Sequence, residues 1–421
     1  MKISPSPTVS DCFFAPLSKA LSAARHRRVC HCFDDEAFLK SGIVRVLENV
    51  QSGRDWVQQL VARTGVLLSV GNFFEALKSP RRLRLSLEIA EHMAEQRDES
   101  FKGSDPLRAH KELAKFAVYA ADGHYHSAAS HDRKIDGKAQ AVGHFFALNV
   151  RTHSMRHLDV ARPKIKREND ITALKRLGGK ALRMNRPKGT KVLYVYDCAI
   201  VDFRLWHDWK QSKGIYVITR EQQNMRLEVM GVNDWGREDA RNAGVLSDEL
   251  VGTSQGTCVR RIRYRDAATE TVYSFLTTEM SLPPGLIAFL YKMRWDIEKA
   301  FDETKNKFNE RKAWASSLRA KTQQALFLCM AHNLMLLLER TLEREEGIVD
   351  EKCCRKRAKR MQLIEEKLKE RGDMLNPLVS GLFRVTQRSL QFIRWLRIQL
   401  SSPTPWPEAV DVLRPLMKAY L

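Results

Sequence analysis

Short apolar runs that each end in a charged residue stand out in the middle of the chain. Residues 116–121 (FAVYAA) are followed by Asp122, and residues 192–196 (VLYVY) are followed by Asp197. Apolar runs of this length, bounded by polar or turn residues, predict buried strands. The pattern therefore predicts two strands that each present a carboxylate where the strand ends.

Further runs extend this pattern into an alternation of strands and helices. Residues 215–219 (IYVIT), which end at Arg220, predict another strand of the same kind. The remaining elements of this region are predicted as strands at 139–150 and 155–160 and helices at 168–177 and 203–212. The order βββαβα, with carboxylates at strand ends, predicts an α/β layer fold whose site lies at the strand termini.

A turn-rich segment, residues 221–282, follows these elements. Strands are predicted within it at 258–264 and 271–277, around a turn at 266–269. The segment is therefore predicted to be an inserted antiparallel β unit.

A helix is predicted over residues 286–308, after two prolines and a glycine, because proline is well tolerated where a helix begins. At 100° per residue, four polar side chains fall within an arc of about 60°; they belong to Tyr291, Arg294, Glu298 and Lys305. A separate apolar stripe would face the core; its members are Met293, Ile297, Ala300, Phe301, Thr304 and Phe308. The polar arc is either a solvated face with an Arg294–Glu298 ion pair or a face that binds a metal ion and phosphate.

Composition places the chain among globular proteins that bind polyanions. Of its 421 residues, 43% are hydrophobic and 29% are charged, which excludes a disordered chain. The formal net charge is +21, and nucleic acid is the leading partner for a protein this basic. An anionic membrane surface is the alternative, but no basic amphipathic anchor or acylation motif is evident. We therefore expect a nucleic-acid partner and no membrane.

The absence of targeting signals and the cysteine pattern predict a cytoplasmic protein. The first residues lack a basic stretch followed by a sustained apolar segment, so no signal peptide is expected. The longest apolar run, residues 326–338, is too short to span a bilayer and predicts a buried helix. The eight cysteines include no CxxC pair, and Cys30-His31-Cys32 lacks a second half at zinc-site spacing. Reduced thiols are therefore expected.

Basic residues concentrate in particular stretches. Residues 151–191 hold 13 Lys and Arg against 3 Asp and Glu, so a tenth of the chain carries about half of the excess charge. This stretch is either a solvated surface or a patch that contacts phosphates independently of base sequence. Residues 55–63 and 71–77, separated by a Thr64-Gly65 break, fit either a DNA-reading helix-turn-helix or a generic helix pair.

Carboxylates on separate elements suit a pair of Mg²⁺ ions. Hard divalent cations prefer oxygen ligands, and Mg²⁺ takes its remaining ligands from water and substrate phosphate. Two ions that share Asp122, Asp197 and Glu298 would leave one net positive charge, which favours a phosphodiester. Such ions activate the nucleophile and stabilise the leaving oxygen of an in-line displacement. The alternatives are that Asp122 is a turn residue and Asp197 a helix cap.

The spacing Y-x2-R-x3-E-x6-K at Tyr291, Arg294, Glu298 and Lys305 resembles the YREK motif of DDE transposases of the insertion-sequence-four group. The resemblance extends over roughly residues 116–340, and includes the VYAAD, VLYVYD and IYVITR strands and the AHNLMLLL helix. It implies an α/β fold with an RNase H-like mixed-sheet core, interrupted by a β-rich insertion and flanked by helical N- and C-terminal regions.

With this resemblance, the chain divides into segments of different expected roles. In chain order they are a loosely ordered basic arm (1–35), a helical domain that binds the DNA ends (36–112), the first part of the catalytic core (113–220), the β-rich insertion (221–284), the last part of the core with the YREK helix (285–345), and a basic helical region for dimerisation or synapsis (346–421).

The resemblance also implies roles for individual residues. Asp122, Asp197 and Glu298 would be the catalytic triad and would bind two Mg²⁺ ions, for which Mn²⁺ can substitute. The residues implied to bind phosphates of the DNA end are Tyr291, Arg294 and Lys305, with Arg220 added by its position. Trp295 and Trp235 are candidates for base stacking, with core packing as the alternative.

Some residues leave the assignment open. Many relatives have a small polar residue after the first Asp, whereas this chain has Gly123-His124-Tyr125-His126, which would touch DNA or fill the wall of the site. Asp302 shares the helical arc with Glu298, and only the motif spacing separates the two. Other nearby carboxylates lack the placement at a strand end, namely Asp132, Asp136 and Asp202.

The function implied by the resemblance is transposition. The protein would bind the terminal inverted repeats of a mobile element as a homodimer or larger multimer, hydrolyse the element end to free a 3′ hydroxyl, and join that hydroxyl to target DNA. One alternative is a catalytically silent DNA-binding regulator derived from a transposase. Another is an RNase H-like nuclease that cuts without strand transfer.

Overall fold

The computed structural model describes residues 6–418 with short gaps. The positions inside that range that it does not describe are 30–32, 49, 51, 65–67, 103–104, 133, 135–136, 138–140, 163–167, 169, 254–255, 309–311, 374–375 and 379–386. Several predicted features therefore lie outside the described residues: the Cys30-His31-Cys32 cluster, Asp136, Gly65 and part of the basic stretch 151–191.

The N-terminal region is helical, as its pattern predicted. Its described helices are α1 (Val9–Ser22), α2 (Asp35–Glu48), α3 (Gly53–Thr64), α4 (Val70–Lys78) and α5 (Pro80–Phe101). Helices α3 and α4 occupy the two halves of the helix-turn-helix candidate. Trp56 of α3 and Phe73 of α4 are buried, so the pair is packed into the core. Its DNA-reading role stays a prediction.

Helix α1 differs from the loosely ordered arm that the sequence predicted for residues 1–35. Thr8 and Asp11 form a capping box, in which Asp11 N–H donates to Thr8 Oγ1 at 3.2 Å and Thr8 N–H donates to Asp11 Oδ2 at 2.9 Å. Phe13 and Leu17, four residues apart, are buried. A cap followed by an apolar stripe is enough to form a helix despite the polar composition around it.

The middle of the chain forms a sheet with helices attached. In chain order its elements are β1 (Phe116–His126), β2 (Ala128–Ala129), β3 (Val142–Asn149), β4 (Met155–Val160), α6 (Asp170–Leu182), β5 (Lys191–Val195), α7 (Phe203–Lys213) and β6 (Ile215–Arg220). Apart from the short β2, this is the predicted order. Strand β1 continues four residues past Asp122, where the prediction ended it, because β3 remains paired with it as far as His126.

The predicted insertion is antiparallel, but it is not a separate sheet. Its strands are β7 (Glu228–Val232), β8 (Val245–Gly252), β9 (Cys258–Arg265) and β10 (Val272–Thr277). Strand β10 pairs with β6, with Phe275 opposite Arg220. Within the described residues, these four strands join β1, β3, β4, β5 and β6 in one nine-stranded sheet. Its strand order is β4-β3-β1-β5-β6-β10-β9-β8-β7.

The centre of this sheet is parallel, since β5 lies between β1 and β6 and runs parallel to both. Strands β3 and β4 continue from β1 as an antiparallel meander. The order β4-β3-β1-β5-β6 is consistent with an RNase H-like core. The predicted mixed α/β fold with helical regions at both ends is therefore confirmed.

The helix predicted over residues 286–308 is broken. It consists of α8 (Pro284–Met293), α9 (Trp295–Asp302) and a π-helical turn, Glu303–Lys307. At the junction, Arg294 N–H donates to the carbonyl of Tyr291 and Ile297 N–H donates to that of Arg294, at 3.0 and 3.1 Å. These bonds span three residues and tighten the helix locally. A two-residue strand, β11 (Lys312–Ala313), then pairs with β2.

Helices make up most of the remainder, and all of them except α11 share one core with the N-terminal region. They are α10 (Leu318–Glu345), α11 (Glu351–Arg371), α12 (Leu390–Gln399) and α13 (Trp406–Leu416). Helix α10 contacts α1, α2, α5 and β4. Among the described residues it is the one helix long and apolar enough to cross a membrane, but 78% of its most apolar window is buried, as expected for a core helix.

Candidate active site

The sheet register brings Asp122 and Asp197 to the same edge of the parallel centre. The last parallel pair between β1 and β5 joins Ala120 with Val195. Asp122 and Asp197 each lie two residues beyond that pair, so their side chains leave the sheet on the same face. Cys198 N–H donates to Asp197 Oδ1 at 2.7 Å, which holds the carboxylate where the strand ends.

Glu298 approaches this edge from α9, and Arg294 links it to Asp122. Arg294 Nη2 lies 2.6 Å from Glu298 Oε1, and Nη1 lies 3.9 Å from Asp122 Oδ2. The Arg294 side chain is only 5% exposed. The predicted i,i+4 pair is therefore a buried bridge between two of the candidate metal ligands and not a solvated face.

Arg294 retains hydrogen-bonding capacity at this position. Its Nε and Nη1 atoms are buried and have no hydrogen-bond partner among the described residues. The rings of Tyr291 and Trp295 flank the guanidinium, with centroids 5.8 and 5.7 Å away. Burial opposes the charged form, but Glu298 and Tyr291 outweigh it and raise the pKa of Arg294. A permanently charged group with unused donors thus lies beside the carboxylates.

Asp170, the first residue of α6, is a fourth carboxylate that the sequence analysis did not single out. Burial, followed by the charge of Asp197, raises the pKa of Asp170, and Tyr125 Oη donates to its Oδ1 at 3.4 Å. A Cβ atom on Gly123 would come within 2.7 Å of Asp170 Oδ1. The signal that could have indicated this contact is the glycine directly after Asp122.

The carboxylates repel one another strongly enough to affect Asp122. Burial raises the pKa of Asp122 to about 6, and the charges of Asp170 and Glu298 add to this effect. The N–H of Gly123 and the Arg294 guanidinium act in the opposite direction. The cluster therefore carries more negative charge than its protein partners neutralise, which favours a bound cation.

A cavity of about 870 Å³ opens beside these residues. Most of its walls come from β5, β6, the β9–β10 region, α8, α9 and α11; the charged and aromatic side chains that line it are Asp197, Arg220, Asp266, Tyr273, Phe275, Tyr291, Lys292, Arg294, Trp295, Glu298, Lys299, Lys356, Arg357 and Arg360. Tyr291 packs against Phe275 at 4.7 Å between ring centroids, and Arg220 Nη2 lies 3.9 Å from Cys198 Sγ. The predicted phosphate-binding residues Tyr291, Arg294 and Arg220 thus share one cavity.

The other predicted residues are placed differently. Trp295 lines the cavity and is 56% exposed, so the packing interpretation fails for it and the base-stacking interpretation remains. Trp235 lies on a loop of the insertion, where it stacks with Arg237 and is not a lining residue. Lys305 is exposed on the π-helical turn, outside the cavity lining. Asp302 accepts a hydrogen bond from Gln387 Nε2 at 2.9 Å and is not among the described residues that line the cavity.

A row of buried histidines continues from Asp122 along the sheet. His124 and His126 follow it at two-residue intervals on β1, and His144 and His157 lie on β3 and β4. Consecutive rings in this row are 5.2, 5.0 and 5.6 Å apart. Burial lowers the pKa of His124 to about 3 and that of His157 to about 4. His124 is buried against Phe301 of α9 at 5.2 Å between ring centroids, which favours the interpretation that His124 and His126 fill the wall of the site over contact with DNA.

The start of α9 is fixed by contacts from the β3–β4 turn. His153 has a positive φ of 61°, and its Nε2 lies 3.0 Å from Asp296 Oδ2, two residues before Glu298. His332 Nε2 lies 2.9 Å from the carbonyl oxygen of His153. Asn333 of α10 accepts from Met155 N–H and donates to its carbonyl, at 2.9 and 3.0 Å. The core helix α10 thus holds the turn that positions α9.

The donor chemistry at this edge suits a hard divalent cation. All of the nearby ligands are carboxylates, which Mg²⁺ and Mn²⁺ accept; burial raises the pKa of Asp122, and the neighbouring charges of Asp170 and Glu298 raise it further. Among the described residues, no three His, Cys, Asp or Glu side chains already converge as a metal site. Arg294 lies between Asp122 and Glu298 instead, in the place where positive charge is needed.

Comparison with known protein families identifies the family of the chain. A family model described as "Transposase DDE domain" matches residues 107–334, which is more than half of the chain and includes all four carboxylates. A search of curated proteins returned no match.

Proposed function

Because the chain belongs to the transposase DDE domain family, we propose that it is a transposase of the insertion-sequence-four group. It binds the terminal inverted repeats of a mobile element, cleaves the DNA strand at the element end and transfers the freed 3′ hydroxyl to target DNA. The proposal also assigns the YREK motif to Tyr291, Arg294, Glu298 and Lys305.

The observation that carries this proposal is the buried Arg294 bridge between Asp122 and Glu298, at the edge of a cavity with basic walls. Carboxylates from a strand and a helix converge there with a guanidinium that retains unused donors. Cleavage of a phosphodiester needs both the carboxylates and the donors. The carboxylates bind the cations that hold the phosphate oxygens, and the donors stabilise the negative charge that develops in the transition state.

The basic and aromatic residues of the cavity would hold the DNA end. Arg294 Nε and Nη1 donate to phosphate oxygens, since a guanidinium fork matches phosphate geometry. Arg220 and the Tyr291 hydroxyl contact the same backbone, and exposed Trp295 stacks on an unpaired base. Lys305 contributes a point charge from outside the cavity, where it contacts DNA that continues past the site. Trp235 reaches DNA only on the insertion side.

Asp122, Asp197 and Glu298 would hold two Mg²⁺ ions, with Mn²⁺ as a substitute. When bound, such ions activate the attacking oxygen and stabilise the leaving one. The chain's own contribution is to fix the carboxylates by the sheet register and to neutralise Asp122 and Glu298 through Arg294 until cations arrive. Asp170 adds negative charge next to Asp122 and Asp197 and so strengthens cation binding.

The proposed partners and setting follow from the same chemistry. DNA is the partner of a transposase domain, and the net charge of +21 supports tight, salt-dependent binding. We place the protein in the bacterial cytoplasm, at the nucleoid, and propose a homodimer or larger assembly when two element ends are joined.

The proposal is tested with a duplex that carries the terminal repeat flanking this coding sequence, in the presence of Mg²⁺. We expect end-specific nicking by the unaltered protein and a loss of at least about 1,000-fold in Glu298→Gln, because a removed metal ligand cannot be replaced. Asp302→Asn, which removes the same charge one turn away, is the matched control and should retain activity.

The outcomes separate the candidate functions. Nicking that survives Glu298→Gln would contradict the assigned triad. Specific binding of the repeat without any nicking would point to a silent regulator. Nicking without products joined to a target plasmid would indicate a nuclease that does not transfer strands.

A further inference from the structure

Helix α11 lines the same cavity as Asp197, Arg294 and Glu298. Lys356, Arg357 and Arg360 are among its lining residues. The sequence showed that this helix is basic, but it gave no indication that the helix reaches the site. These three side chains share one side of the helix, since they are spaced one, three and four residues apart.

Both ends of α11 are attached to other elements. At its start, Asp350 caps the helix and Glu351 N–H donates to the carbonyl of Met417 at 3.1 Å. Near its end, Ile364 and Leu368 are buried in a small apolar cluster.

That apolar cluster joins α11 to the turn between β9 and β10. Ala267 and Ala268 of the turn pack against Ile364 and Leu368, and Arg371 Nη2 lies 2.5 Å from Glu270 Oε1. The turn itself is held beside the cavity, because Lys292 of α8 pairs with Asp266 and both residues line it. Helix α11 and this turn therefore form one connected part of the cavity wall, called the strap (residues 266–270 with 351–371).

The cavity is large enough for part of a DNA strand. Its volume of about 870 Å³ lies within the range of about 300–1,000 Å³ that is typical of ligand pockets. One or two unpaired nucleotides fit in such a space.

The charges and rings of the cavity match a single strand. The strap contributes cations to the cavity lining, and Trp295 contributes an exposed aromatic face to it. A basic groove that follows the backbone, combined with aromatic side chains that stack bases, is the usual arrangement for binding single strands without sequence preference.

We propose that the strap holds an unpaired DNA strand against the catalytic carboxylates, with Lys356, Arg357 and Arg360 binding its phosphates. The proposal rests on the transposase function and adds to it the form of the substrate. The terminal base pairs of the element end are opened, and the strand to be cut passes beneath α11. The duplex part of the end lies outside the cavity.

The test compares two charge-matched variants of the full chain. The first, Lys356→Gln/Arg357→Gln/Arg360→Gln, removes the cations that line the cavity. The control, Lys352→Gln/Arg355→Gln/Lys359→Gln, removes the same charge from exposed positions of α11 outside the cavity lining. The probes are a fluorescent oligothymidylate of about 15 nucleotides and a blunt duplex of equal length, titrated by anisotropy at several salt concentrations.

We expect the cavity variant to bind the single strand about 100-fold more weakly at 0.1 M salt. Its slope of log K against log salt should fall by about 2, because each lost phosphate contact contributes about 0.7 for single strands. The control and the duplex titrations should change by less than about threefold. Unchanged thermal unfolding midpoints show that both variants are folded.

Specific results would overturn the proposal. The first is an unchanged affinity of the cavity variant for the single strand. The second is a loss of single-strand affinity in the control variant as large as in the cavity variant. The third is a loss of duplex affinity in the cavity variant as large as its loss of single-strand affinity. These results are distinguishable from failure of the transposase function, which is read from nicking of the terminal-repeat duplex by the unaltered protein. If the cavity variant binds the single strand more weakly but the unaltered protein does not nick the duplex, the role of the strap is supported and the catalytic assignment is rejected.

Discussion

At the scale of single residues, the site is dominated by a shortage of positive charge. Asp122 is buried near Asp170 and Glu298, and its pKa is raised to about 6 from an ordinary value of 3.8. Arg294 relieves only part of this repulsion, because it makes a close contact with Glu298 and a longer one with Asp122. At neutral pH, the ionised carboxylate of Asp122 therefore lowers the stability of the folded protein.

Asp122→Asn should stabilise the metal-free protein while abolishing DNA cleavage. Because the folded-state pKa lies above the unfolded one, the carboxylate destabilises the fold above about pH 6, and the penalty disappears below about pH 4. A difference of two pKa units corresponds to at most about 3 kcal/mol. We expect a gain of about 1–3 kcal/mol in unfolding free energy at pH 8 in EDTA, which falls to about half at pH 5.

Urea denaturation at the two pH values measures this gain. Asp302→Asn, an exposed control on α9, should change stability by less than about 0.5 kcal/mol. A loss of stability in Asp122→Asn at pH 8 would mean that the attraction to Arg294 outweighs the repulsion.

Gly123→Ala should destabilise the protein through Asp170. The added Cβ would lie 2.7 Å from Asp170 Oδ1 and 3.0 Å from a ring carbon of Tyr125, so a cost of about 1–3 kcal/mol is expected. In an Asp170→Ala background the cost should fall by about 1 kcal/mol or more, as a double-mutant cycle of unfolding free energies would show. Additive effects would contradict the close approach.

At the scale of elements, long-range contacts decide what the local pattern leaves open. Strand β4 matches its predicted bounds, because its apolar run and flanking turns are local signals. The helix predicted over 286–308 ends in a π-helical turn, where Glu303 is buried against Arg388, with Nη2 and Oε2 2.5 Å apart. That partner lies 85 residues further along the chain, so no local pattern indicates the π-helical turn.

The distinction between local sequence signals and long-range contacts also applies to the residues of the site. Asp122, Asp197 and Glu298 could be predicted because their spacing and strand-end positions are visible in the sequence. Asp170 could not, since its place depends on the close approach of α6 to Gly123. The basic residues of α11 were recognised by composition, but their arrival at the cavity depends on how Ile364 and Leu368 pack.

Asn333→Ala should test how firmly α10 holds the β3–β4 turn. The substitution leaves both the N–H and the carbonyl of Met155 without their buried partner, at a cost of about 2–5 kcal/mol. Thr322→Ala, at an exposed position of the same helix, is the control and should stay within about 0.5 kcal/mol. Urea midpoints of the two variants provide the comparison, and equal midpoints would contradict the clamp.

At the scale of the whole molecule, the insertion and the catalytic core share one sheet. Strand β10 covers the edge of β6, and Phe275 of β10 packs on Tyr291 of the active site. The outer edge of the sheet is β7, whose Val232 is 73% exposed. The insertion is therefore part of the structural unit that carries the site.

Deletion of residues 221–282, with a short Gly-Ser linker in their place, should give an insoluble protein. It would uncover the edge of β6 and the ring of Tyr291, and unpaired strand edges promote aggregation. Val232→Lys, at the outer edge, is the control and should remain soluble and folded. The soluble fraction and the elution volume on size exclusion measure both outcomes, and a soluble monomeric deletion variant would show that the insertion is independent.

The distribution of the carboxylates along the chain has a consequence during synthesis. Roughly 100 residues separate Asp197 from Glu298, and at about 5–20 residues per second the ribosome delivers Glu298 some 5–20 s later. Strands β1 and β5 can pair during that interval, but the third carboxylate, Arg294 and the strap are not yet made. A nascent or truncated chain that stops before α9 therefore carries the two aspartates on its sheet without the third carboxylate that the proposed reaction requires.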